Sequence, residues 1–123
     1  MWFLRGSLTL TAILMFAQAV SAGLFMDGRS SAFGVHREMA TVAGVALIAG
    51  IVAAVLVRWF GRAPRWPIAA TIGLLMLMSL QAFAGFRSLV ALHVPLGVIV
   101  ILLSIALAWW AWRPRADERH PQG

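Results

Sequence analysis

Residues 35–57 read VHREMATVAGVALIAGIVAAVLV. A histidine, an arginine and a glutamate fall in the first four positions, and no charge follows through Val57. Crossing a hydrocarbon core as a helix takes ~20 apolar residues, so this stretch is a membrane span opened by His36. Residues 89–112, LVALHVPLGVIVILLSIALAWWAW, repeat the plan with His93 near the start. Working outward, two further apolar runs cover about 8–26 and 67–86, giving four spans at about 8–26, 35–57, 67–86 and 89–112. Spans two and four begin on the same side of the bilayer. The two imidazoles are therefore expected at similar depth, facing across a bundle interior, where a neutral pair meets the needs of a haem iron.

Composition agrees with the bilayer as solvent. Of 123 residues, 62% are hydrophobic and 11% charged, more apolar surface than a soluble domain of this size could keep dry. With no Cys, disulfides, thiolate ligands, iron–sulfur clusters and cysteine nucleophiles are excluded. The net charge of +6 comes entirely from arginines set against four acids. These arginines cluster at span ends, which the positive-inside rule explains, so no nucleic-acid partner is expected. Arg5, Arg58, Arg62, Arg65, Arg113, Arg115 and Arg119 share one side. Arg29, Arg37 and Arg87 share the other, partly offset by Asp27 and Glu38. The expected fold is thus all-α: a polytopic four-helix bundle over 1–112, both termini inside, multi-pass in the plasma (inner) membrane. Trp59, Trp66, Trp109, Trp110 and Trp112 form the interfacial belts, and Pro67 suits a first helical turn. Residues 113–123 read as a disordered cytoplasmic tail, with His120 inert in it.

The start has a rival reading. Arg5, an apolar run and the small residues of 19–22 resemble a signal peptide with its cleavage site. Against it, the apolar run continues through Phe25 and Met26, and span one has a counterpart. Residues 14–19, LMFAQA, parallel 77–82, LMSLQA; each is followed by a glycine (Gly23, Gly85), a short loop and a histidine. The chain reads as two helical hairpins in parallel orientation, although leucine and methionine are common enough in membranes for chance to produce such hexamers.

Several side chains can carry chemistry. Intramembrane ionisable groups usually face a partner or a cavity, which makes His36 and His93 the leading candidates for metal ligation. The plainer alternative is that each anchors its helix at the interface. Gln18 and Gln81 lie near the histidine layer and can bond an imidazole N–H or a cofactor carboxylate; interhelical bonding that holds the bundle is the equal alternative. Arg37 and Arg87, with Arg29, sit where haem propionates would emerge. Met39 is a possible substitute ligand one turn from His36. Small residues near the histidines (Ala40, Ala43, Gly44, Gly97) leave room for a flat macrocycle, whereas Ala46, Gly50 and Ala54 suit plain helix packing. Pro95 frees the Ala91 carbonyl, which could orient an imidazole. No acid lies mid-membrane, and there is no Ser/His/Asp set, P-loop or zinc signature, so nothing marks an enzyme.

His36-Arg37 opening span two, Gln81-x-x-x-Gly85 in span three and Leu92-His93 opening span four together resemble one four-helix half of haem A synthase. The chain is also similar to a group of small, uncharacterised bacterial four-helix membrane proteins. The first resemblance implies a cytochrome b-like bundle with His36 and His93 as axial ligands, one per hairpin. It departs where the enzyme carries an acid before its His-Arg and this chain has Phe33-Gly34-Val35. These spans also supply one bundle rather than two, so haem A synthesis is not expected of them alone. The expectation is therefore one b-type haem between helices two and four, for electron transfer or haem handling, served by a redox or haem-handling membrane partner. The alternatives are a cofactor-free scaffold or subunit and, third, a small transporter working as a homo-oligomer.

Overall fold

A computed structural model describes residues 1–114. It contains four helices: α1 (Trp2–Met26), α2 (Ser31–Gly61), α3 (Trp66–Phe86) and α4 (Val90–Trp112). No strand occurs among the described residues. Each helix contains an 18-residue window of mean hydropathy between 1.8 and 2.6, long and apolar enough to cross a bilayer. Their outward faces remain apolar: only 17% of the α4 window is buried, and Leu102, Val94 and Ile99 stand exposed on it. A helix hydrophobic all round belongs in lipid. The chain is an all-helical, multi-pass membrane protein.

Two helices run longer than expected, for a simple reason. Nothing between Trp2 and Leu8 breaks a helix, so α1 begins six residues earlier than the apolar run does. Arg5 is then carried inside α1, and its Nε donates to the Ala111 carbonyl at 2.8 Å. That carbonyl is among the last of α4, which has no intrahelical partner for it. Similarly, α2 starts at Ser31 and runs past Arg58 to Gly61. It stops at Arg62, which adopts a left-handed conformation (φ 52°), two residues before Pro64. The α1–α2 turn places Gly28 at φ 89°, a conformation glycine adopts without strain. The segment at 113–123 lies outside the described residues beyond Pro114, and His120, Arg115 and Arg119 with it.

The four helices form a square. α1 packs against α2 and α4, and α3 against α2 and α4; α2 and α4 face each other across one diagonal with no close backbone approach. Chain direction alternates, so both termini share one end and the α1–α2 and α3–α4 turns share the other. Small residues bring α1 and α2 together. Ala43, Ala46, Gly50, Ala53 and Ala54 are buried, and a Cβ on Gly50 would stand 3.4 Å from Leu8 Cδ2. The buried hydroxyls of Thr11, Thr71 and Ser104 donate to the carbonyls of Ser7, Pro67 and Val100, which satisfies them without an interhelical partner. At the terminal end, Trp2 meets Trp112 edge-on at 5.7 Å, with Arg5 over both rings.

Candidate functional site

The turn end of the square holds the polar cluster. His36 lies five residues into α2 and His93 three into α4, a difference of ~3 Å in depth at 1.5 Å per residue. Because α2 and α4 are diagonal, both side chains can point inward and meet. Their ring centres are 6.2 Å apart with the planes at 69°, and both rings are half-buried.

Each imidazole is held by the helix preceding it in its own hairpin. His36 Nδ1 lies 3.1 Å from the Gln18 carbonyl oxygen of α1, and His93 Nδ1 lies 2.8 Å from the Gln81 carbonyl oxygen of α3. A carbonyl can only accept, so both rings carry their proton on Nδ1. In a neutral ring so oriented, Nε2 presents a lone pair. His93 Nε2 accepts from the Gln81 side-chain amide at 3.3 Å. His36 Nε2 accepts from no described residue. Ser21 Oγ, 3.1 Å from His36 Nδ1, donates to the Gln18 carbonyl at 3.0 Å.

Glycine makes the second contact possible. A Cβ on Gly85 would stand 2.7 Å from both Cε1 and Nδ1 of His93, closer than real side chains come. The ring therefore rests against the bare backbone of α3. Likewise a Cβ on Gly97 would come 3.2 Å from Gln81 Nε2, so this gap is filled by the glutamine amide.

Four of the expected site residues are thus gathered: His36, His93, Gln18 and Gln81. The glutamines act chiefly through their backbone carbonyls. The Gln18 amide does not reach His36; its Oε1 is buried without a hydrogen-bond partner. Pro95 leaves α4 unbroken, and the carbonyl that orients His93 is that of Gln81 rather than Ala91. Arg37 and Arg87 are exposed, and neither is hydrogen-bonded to the pair. Sequence reasoning missed Ser21. Its spacing of three from Gln18 puts it on the same face of α1, which was the available signal.

Compared with protein-family models, with curated proteins and with solved structures, the chain has no match. The likeness to a haem A synthase half rests on the short motifs alone.

Proposed function

We propose that this membrane protein holds one b-type haem between α2 and α4, with His36 and His93 as axial ligands, for electron transfer or haem handling. The observation that carries the reading is the matched contact of each imidazole Nδ1 with a backbone carbonyl, that of Gln18 for His36 and that of Gln81 for His93. Ligating histidines characteristically give their other N–H to a carbonyl or carboxylate, which fixes the ring and raises its basicity; both imidazoles here do so.

Donor count favours haem over a bare ion. Among the described residues no group of three His, Cys, Asp or Glu gathers around a metal position, whereas structural zinc takes four ligands. Haem brings its own four equatorial nitrogens and asks the protein for two. When bound, it supplies a one-electron couple. The chain's own part is to hold two neutral imidazoles, exclude water and turn the Gln81 amide away from His93 Nε2. Arg37 and Arg87, on the outer side, suit the propionates. A redox or haem-handling partner in the membrane goes with this function.

Titrating the detergent-purified chain with haem tests it. The expected result is saturation at one haem per chain, with a sharp Soret band absent from His36→Ala and from His93→Ala. Binding that survives in both variants, or none in the parent, overturns the reading. One observation favours a second reading, a cofactor-free scaffold: the Gln81 amide already satisfies His93. In that case each histidine only ties its own hairpin together, and its removal costs stability but no colour.

A further inference from the structure

From the end of the molecule opposite the histidines, a groove of about 850 Å³ runs between α3 and α4. Small residues create it: Ala70 and Gly73 on α3 face Ala106 on α4, and a Cβ on Gly73 would meet nothing within 4 Å. Its lining is almost wholly apolar, from Trp66 and Trp110 at the terminal end past the middle of α3 to Leu80, the residue before Gln81. Fourteen residues of α3 separate Trp66 from Leu80, ~21 Å at 1.5 Å per residue. One leaflet of hydrocarbon is about 15 Å deep. The groove therefore accompanies a lipid chain through the whole of its own leaflet.

The mouth of the groove is cationic. Trp66 and Trp110 touch edge-on at 4.4 Å, which brings the start of α3 beside the end of α4. A second hollow, of about 490 Å³, shares Ala106 and Trp110 with the groove and is bordered by Trp109 and Arg113. The Arg113 guanidinium stands 5.9 Å from the Trp109 ring centre, and Arg65 directly precedes Trp66. Both arginines are exposed; α3 and α4 contain no acid, while Asp117 and Glu118 follow Arg113 in the sequence.

We infer that the α3–α4 groove is a binding site for an anionic phospholipid, one acyl chain lying against Gly73 and Ala106 and the headgroup held by Arg65 and Arg113. Aromatic residues at the interface and arginines just beyond it are what such a headgroup selects. The inference stands independently of the haem reading.

Quenching of tryptophan fluorescence by brominated-chain lipids tests it, read as the part of the signal lost in Trp66→Phe/Trp110→Phe, because these two of the six tryptophans line the site. The full chain is reconstituted in vesicles containing brominated phosphatidylglycerol or brominated phosphatidylcholine. Phosphatidylglycerol is expected to quench at about fivefold lower mole fraction per arginine engaged. That preference should disappear in Arg65→Gln/Arg113→Gln, while Gly73→Leu reduces quenching by both lipids. Equal quenching by the two headgroups overturns the inference, as does a preference unmoved in the arginine variant. Protection from both quenchers that grows with protein density would place a second copy of the chain in the groove and equally overturn it. The arginine variant changes only exposed side chains, so the test holds even if Gly73→Leu fails to fold.

Discussion

Gly85 follows Gln81 by four residues and Gly23 follows Gln18 by five, and the two do different work. A methyl group on Gly85 would drive into the His93 ring and break its bond to the Gln81 carbonyl. Gly85→Ala is expected to lose about 1–3 kcal/mol, the usual cost of overpacking, together with haem binding. Gly23→Ala meets nothing within 4 Å and should leave both unchanged; thermal unfolding and haem titration of the two variants check this. Gln81 separates the two functional readings. Gln81→Leu keeps the carbonyl that orients His93 and removes the amide competing for its Nε2. One hydrogen bond is worth about 1 kcal/mol, so haem should bind roughly fivefold tighter, whereas a pure scaffold would only be weakened. The histidine pairing was legible in the chain because spans two and four both open with an imidazole. The role of the Gln18 and Gln81 carbonyls was not, because a backbone acceptor leaves no mark on residue type.

Between elements, small residues bring α1 and α2 together. Gly50 faces Leu8 and Ser7, so Gly50→Leu should cost about 1–3 kcal/mol by overpacking, read from the denaturation midpoint. Arg5 joins the first turns of α1 to the last of α4. Arg5→Ala removes a charge-assisted bond to a carbonyl that α4 cannot satisfy, and a loss of about 1–2 kcal/mol is expected; Arg5→Lys, lacking the guanidinium plane for Trp2 and Trp112, should recover only part. Here the sequence was less informative. Arg5 reads as a topogenic charge, and only the packed bundle brings it to Ala111. The start of α1 and both ends of α2 lie outside the apolar runs, because hydropathy marks the lipid-embedded stretch, while a helix continues until a residue such as Arg62 before Pro64 stops it.

At the scale of the whole molecule, four apolar runs and three short turns determine a square whose diagonal joins α2 to α4. The diagonal puts both imidazoles inside, and the alternating chain direction puts them at one end. Span number and the shared leaflet followed from spacing alone. Which helices are neighbours did not, since outward faces of leucine and valine look the same on every span. The polarity of the molecule follows too: hydrogen-bonded imidazoles at the turn end, tryptophan and arginine at the terminal end. The central claim is that His36 and His93 coordinate one iron together, and the spin state of the ferric haem complex tests it most directly. Electron paramagnetic resonance should find a low-spin, six-coordinate signal in the parent chain and no such signal in either single His→Ala variant. A high-spin parent, or a low-spin signal that persists in both variants, would contradict the account.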